Sequence, residues 1–345
     1  MVIQEFVPKL AFDRKGYSVL KKSEIKSLII SGKSLEKLHI QEILKNKIEN
    51  FDHLIIGDER RSVSEINKLI KNYKKNTYSS VIAFGGGSVI DIAKLFVAKF
   101  KEINNETSFY VIPTLIGSGA ESSKTSIQNS ENGKIISSDI FYLPEAVIYD
   151  TEILSTIPKK EILFGGIDAI SHCIESKFTI LTNPYIKFLS DYTLKYFFDN
   201  VCISDLHKNE TLTKEELVAF CITSYNGGLA QSNSGAGLCH AFAHASEKIL
   251  SCSHNRSIAY FLKATMIFLN QENKSLIDSK NSYLFDLIYE YLSELKKYED
   301  EFILLEQASS DVKIKSELIR NAKIDPCWRL SKLKGNKEAI LDNYL

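Results

Sequence analysis

Five short runs of apolar residues constrain the fold of this chain more than any other feature. "SLII" (27–30), "HLII" (53–56), "SVIAF" (80–84), "FYVI" (109–112) and "AVIY" (146–149) are continuous rather than alternating. That is the pattern of strands buried on both faces. Segments with helical spacing lie between the first four, at 34–48, 62–73 and 88–101. Strand–helix–strand alternation implies right-handed crossovers and a doubly wound parallel sheet of the Rossmann-like kind. After "STIPKK" (155–160) the character changes to long amphipathic patterns without a convincing strand, and "LFDLIYEYLSELKKYEDEFILLEQ" (284–307) reads as one helix or a helical pair. The expected plan is an α/β domain over 1–157 that binds a dinucleotide, followed by an all-helical domain over 158–345 that holds metal and substrate.

A chain of 345 residues suits two domains, and 43 basic residues balance 43 acidic ones. No electrostatic footprint for nucleic acid or an anionic membrane is visible, and lysine clusters such as "KNYKKN" (71–76) read as solvated helix ends. The N-terminus lacks a secretory apolar run, and no stretch reaches the roughly 18 to 20 apolar residues of a membrane span. Six scattered cysteines without C-x-x-C spacing read as free thiols, so the expectation is a cytoplasmic protein.

"SSVIAFGGGSVIDIAKLFVAKF" (79–100) reads strand, glycine turn, helix. Gly85, Gly86 and Gly87 permit a sharp turn and close approach of a phosphate, with Ser88 at the N-cap and Asp91 completing a capping box. The same glycines also suit an ordinary tight connection. A second polar turn in "VIPTLIGSGAESSKTS" (111–126) offers Thr114, Gly117, Ser118 and Gly119 at what should be the carboxyl end of the sheet, where ligands of such sheets bind.

In "FGGIDAISHCIESKF" (164–178), Asp168 and His172 stand four apart on one helix face, and "CHAFAH" repeats the spacing with His240 and His244. His254 follows past the helix end expected in "LSCSHN". Each pair alone could be a helix-stabilising contact, but together these groups can surround one divalent ion. One carboxylate with several imidazoles suits Fe(II) or Zn(II) better than Mg or Ca.

These segments resemble the iron-containing (group III) alcohol dehydrogenases, of the dehydroquinate synthase-like superfamily. "GGGSVIDIAK" resembles the cofactor-phosphate motif, "PTLIGSGAESS" the P-T-x-x-G-T-G-S-E-x-T turn, "GGIDAISHCIES" the G-x-D-A-x-x-H-x-x-E signature, and "GLCHAFAHASEKILSCSHN" the H-A-x-A-H…H-G segment. The resemblance implies an NAD- or NADP-linked dehydrogenase of a small alcohol or aldehyde, with Fe(II), or alternatively Zn(II), held by Asp168, His172, His240 and His254. It makes His244 the catalytic histidine beside the substrate. It gives Gly85, Gly86, Gly87, Ser88 and Asp91 to the pyrophosphate, Thr114 and Ser118 to the nicotinamide, and Lys134 to the ribose. It further implies a homodimer.

Departures accompany it. "GSGAE" replaces G-T-G-S-E, Asn255 stands where glycine usually follows the last ligand, and only about 90 residues follow His254. After the first strand run, where the family often has an acidic residue, "LIISGKS" has Gly32 and Lys33, which suits a 2′-phosphate and hence NADP(H). The motif "IPTLIGSGAESSKT" and the reduced length also resemble a branch that oxidises 3-deoxy-octulosonate sugars. A cyclase similar to 3-dehydroquinate synthase and a non-catalytic descendant are the other readings.

Overall fold

The computed structural model describes residues 7–33, 44, 48–57, 62–73, 75–130, 133–206 and 208–343. It divides into two compact units, Val2–Ile157 and Pro158–Leu345.

The first unit is built on a six-stranded sheet of β1 (Lys9–Phe12), β2 (Ser27–Gly32), β3 (Phe51–Ile56), β4 (Ser80–Gly85), β5 (Ser108–Pro113) and β8 (Ala146–Tyr149). The order is β1-β8-β5-β4-β2-β3 and every pairing is parallel. All six residues of both β4 and β5 are buried, the reason these strands read as unbroken apolar runs. Alternate side chains serve opposite faces. Val81 and Ala83 pack with Ile66 and Ile70 of α1 (Val63–Tyr73) and with Ile90, Ala93, Phe96 and Val97 of α2 (Gly87–Lys101). Ile82 and Phe84 pack on the other face with Tyr17, Leu20, Leu44 and Ile48. The helix expected over 34–48 lies outside the described residues apart from Leu44 and Ile48, which both belong to this second face.

Two features have no counterpart in the apolar runs. The edge strand β1 is only four residues long and half exposed, too short to stand out. Between β5 and β8 the chain forms an antiparallel hairpin, β6 (Thr125–Ser130) and β7 (Gly133–Ser138), whose one cue is the Asn-Gly pair at 132–133.

The second unit is helical: α3 (Lys159–Ser176), α4 (Pro184–Asn200), α5 (Lys214–Ser234), α6 (Leu238–Leu250), α7 (His254–Glu272), α8 (Tyr283–Leu295), α9 (Ile303–Ser310), α10 (Val312–Ile324) and α11 (Pro326–Leu330). The stretch 284–307 is a helical pair, interrupted where Tyr298 leaves helical geometry (φ −105°, ψ 46°). Every residue of α3 from Ile162 to Ser176 is buried, so this is the central helix of the unit. Glycines let α5 lie against it. A Cβ on Gly227 would sit 2.8 Å from the Ala169 carbonyl, and one on Gly166 would sit 2.3 Å from the Phe220 ring. Among the described residues no helix is long and apolar enough to cross a membrane, and all six cysteines are free.

Candidate metal centre and cofactor turns

The helical unit brings together the four side chains singled out as ligands. Asp168 and His172 project from one face of α3, His240 from the first turn of α6, and His254 is the first residue of α7 rather than part of a loop. A left-handed Ser251 (φ 55°) ends α6 and turns the chain into α7. Three Nε2 atoms face one oxygen, Asp168 Oδ1, at 3.7 Å from His172, 3.5 Å from His240 and 3.7 Å from His254. The Nε2 atoms of His172 and His240 are 2.9 Å apart.

Asp168 is fully buried, and neither of its oxygens has a hydrogen-bond partner of normal geometry. A buried carboxylate left in that condition is costly, and convergent imidazole lone pairs around it fit a cation. The electrostatics agree. Burial works to raise the Asp168 pKa, yet the His172 and His254 charges hold it far below the usual carboxylate range. Burial works to lower the His254 pKa, and Asp168 with Glu247 outweighs it to push the ring up to about 10. The site draws positive charge to itself, and the donor set of one carboxylate and three imidazoles fits Fe(II) or Zn(II).

Two glutamates that the spacing leaves without a role orient these side chains. Glu175, 4% exposed on α3, accepts the backbone N–H of Gly237 (3.0 Å), Cys239 (2.6 Å) and His240 (3.3 Å), three donors at the start of α6. It also takes the Nδ1–H of His240 (2.7 Å), which turns Nε2 toward Asp168. Gly237 is required by this contact, since a Cβ there would lie 2.8 Å from Glu175 Oε1. Glu247 does the same for His254, whose Nδ1 is 2.5 Å away. The only sequence cue for Glu175 was its place three residues after His172 in the quoted signature; Glu247 had none. Arg256 pairs with Glu161 at 2.6 and 2.8 Å and stacks 4.3 Å over the Phe164 ring, tying α7, and with it His254, to α3.

His244 lies beside His254. Its ring stacks on that of His254 (5.5 Å, 22°), and its Nδ1 pairs with Asp325 at 2.9 Å. Burial, partly offset by Asp325, pushes its pKa down and favours the neutral ring. Cys239 points its sulfur at the Ile258 carbonyl, away from the ligands. Asn255 lies partly buried in the first turn of α7.

In the sheet unit, β4 and β5 end side by side, with Gly85 opposite Pro113 and Thr114 N–H donating to the Gly85 carbonyl (3.0 Å). Their turns touch: a Cβ on Gly86 would sit 3.1 Å from Leu115, and one on Gly87 would sit 2.9 Å from Ser118 Oγ. Gly117 (φ 115°) and Gly119 (φ 62°) supply the left-handed positions of the second turn. The capping arrangement expected from the sequence is not formed. Gly86 is the N-cap of α2, no side chain caps the helix, and Ser88 lies inside it. Asp91 is buried and pairs with the fully buried Lys94 (3.3 Å) while accepting the Ile127 N–H (3.1 Å). Lys94 in turn donates to the Thr125 carbonyl at 2.5 Å. The pair fastens the β6–β7 hairpin to α2, because a buried carboxylate seeks a cation before a cap. An uncapped N-terminus leaves its first amides for an anion. Gly32 ends β2, and the exposed Lys33 lies over Gly57, its Nζ 3.6 Å from where a Cβ would be. Lys134 pairs through its backbone with Asn129, and its side chain lies outside the described residues.

Two family models match this chain: "Iron-containing alcohol dehydrogenase" over residues 12–151 and "Fe-containing alcohol dehydrogenase family, C-terminal" over residues 162–321. The chain belongs to the iron-containing alcohol dehydrogenase family. It is an NAD(P)-dependent oxidoreductase acting on CH–OH groups. Similar proteins include the 4-hydroxybutyrate dehydrogenase of Clostridium kluyveri, 24% identical over 81% of this chain and 78% of that enzyme. The NADPH-dependent butanol dehydrogenase of Clostridium saccharobutylicum is 25% identical over 63% of this chain and 62% of its own length. The iron-containing alcohol dehydrogenase structure from Thermococcus thioreducens covers 99% of this chain and 98% of its own, with a TM-score of 0.80 at 17% identity, a likeness of fold.

Proposed function

We propose that this chain is a reversible dehydrogenase of a small primary alcohol or its aldehyde, with Asp168, His172, His240 and His254 as the metal ligands. The buried Asp168 carboxylate, faced by three imidazole Nε2 atoms and without hydrogen bonds, carries the reading. A divalent ion held there would supply Lewis-acid polarisation of the substrate oxygen. Glu175 and Glu247 fix the ring orientations that keep the Nε2 lone pairs directed inward. His244, neutral and beside this cluster, takes the hydroxyl proton when the alcohol is oxidised and returns it when the aldehyde is reduced.

In the sheet unit, the backbone amides of Gly87 and Ser88 would hold the cofactor pyrophosphate, with Gly85 and Gly86 shaping the turn. Thr114 and Ser118 would stand on the nicotinamide side of a cofactor bound there. Asp91 serves this turn indirectly, by holding the hairpin. Lys33, next to Gly32 where the family often has an acidic residue, would pair with a 2′-phosphate, so NADP(H) is the preferred cofactor, as in the named butanol dehydrogenase. The first substrates to try are 4-hydroxybutyrate and butanol with their aldehydes, since similar enzymes are named for them.

The test is anaerobic purification with metal analysis, then turnover of alcohols, aldehydes and sugar acids with NADPH and NADH. About one iron or zinc per chain and NADPH-linked aldehyde reduction are expected, both lost in Asp168→Ala and His240→Ala. Undiminished metal content and turnover in both variants would refute the ligand assignment. Turnover confined to sugar acids would move the substrate to that class.

A further inference from the structure

We infer that Asp325 is the positioning residue that sets the tautomer of His244, an inference resting on the proton-handling role proposed above for that histidine. Asp325 lies between α10 and α11, four residues beyond the matched C-terminal family region. Its two oxygens have separate tasks. Oδ1 caps α11 by accepting the Cys327 backbone N–H at 2.8 Å, and Oδ2 faces His244 Nδ1 at 2.9 Å. Both side chains are largely enclosed, with 17% of His244 and 16% of Asp325 exposed.

A carboxylate oxygen can only accept, so the hydrogen bond places the ring proton on Nδ1. Nε2 is then the lone-pair nitrogen, the form that can receive a proton from a hydroxyl. The cap makes this directional: with Oδ1 committed to the Cys327 amide, the carboxylate cannot rotate to offer anything but Oδ2 to the ring. The stack of His244 on His254 restrains the ring from its face, and Asp325 restrains it from its edge. Asp325 thus does for His244 what Glu175 does for His240 and Glu247 does for His254.

Asp325→Asn separates the two tasks. The amide oxygen keeps the helix cap, so the amide nitrogen, a donor, is turned to His244 Nδ1. The ring must then accept at Nδ1 and carry its proton on Nε2, the wrong tautomer for a base. Asp325→Ser is the second variant: serine caps a helix well but its short hydroxyl does not reach the ring.

The experiment uses zinc-loaded protein with 15N-labelled histidine, the His244 signals being assigned by their loss in His244→Gln. In the wild type His244 should show a protonated Nδ1 and an unprotonated Nε2. Asp325→Asn should exchange the two nitrogen signatures, and Asp325→Ser should leave a mixture of tautomers. Both variants should keep their zinc and lose about 10- to 100-fold in kcat with KM changed little. Unchanged tautomer signals, or a wild-type kcat in both variants, would overturn the inference. A second equivalent of zinc lost in both Asp325→Asn and Cys327→Ser would also overturn it, by making His244, Asp325 and Cys327 a cation site. Wild-type turnover in His244→Gln would instead overturn the proton-handling role while leaving the tautomer result standing.

Discussion

Replacing Glu175 tests whether one buried carboxylate organises both a helix start and a metal ligand. In Glu175→Ala the amides of Gly237, Cys239 and His240 and the Nδ1–H of His240 lose a partner in a region where Glu175 itself is 4% exposed. A buried donor left unsatisfied costs about 1–3 kcal/mol. Four such groups, with water entering the space vacated by the side chain, give about 4–5 kcal/mol at the lower end of that range. For a unit of this size each kcal/mol moves Tm by roughly 2–4 °C, so Tm should fall by about 10 °C. Glu175→Gln keeps one acceptor and should lose about half as much. Because His240 also loses its orienting partner, metal affinity should drop about 10- to 100-fold in both variants. Urea and thermal unfolding of the metal-free protein measure the first effect, and titration against a chromophoric chelator measures the second. The reasoning fails if Glu175→Ala costs under about 1 kcal/mol and binds metal as the wild type does.

Three other outcomes are expected. Lys33→Ala should raise KM for NADPH about tenfold and leave KM for NADH unchanged, in line with loss of one charge-assisted phosphate contact, and equal effects on both cofactors would remove Lys33 from the 2′-position. Lys94→Met strands the buried Asp91 carboxylate and should cost about 3–5 kcal/mol, with hydrogen exchange quickening at the Ile127 amide that Asp91 holds; slow exchange there would refute the hairpin-anchor role. Tyr78 is raised from 10.0 to about 12, first by burial and also by the Asp52 carboxylate it donates to at 2.7 Å. The neutral phenol is the form the fold favours, so its contribution is complete below pH 10 and is lost as pH rises from there to about 12. Tyr78→Phe, which keeps the stack on Phe100, should flatten that alkaline limb of the urea midpoint; an unchanged limb would exclude Tyr78 as its source.

Parallel sheet strands are legible in sequence because burial on both faces favours apolar residues, and β2, β3, β4, β5 and β8 were marked by that alone, although β3, at the sheet edge, is buried only at Leu54 and Ile56. The hairpin β6–β7 was missed because its strands carry serine, threonine, asparagine and lysine, and it is held to α2 by Asp91 and Lys94 rather than by apolar packing. The capping box failed for a related reason. The spacing of Ser88 and Asp91 satisfied a local rule, but a carboxylate buried beside an ammonium makes a tertiary pair instead.

The same division holds at the metal centre. Sequence by itself determined that Asp168 and His172, and likewise His240 and His244, share helix faces, because 3.6 residues per turn fixes that without reference to anything else. That His244 stands outside the proposed ligand set is what the resemblance to the family's motifs implies. Only the tertiary structure decided that His240 presents Nε2, that His254 opens a helix, and that Glu175, Glu247 and Asp325 hold the three rings. The ring partners are 7, 65 and 81 residues apart in the chain. Ring orientation is set by a hydrogen bond across space, and a hydrogen bond at those separations leaves no periodicity in the sequence to read.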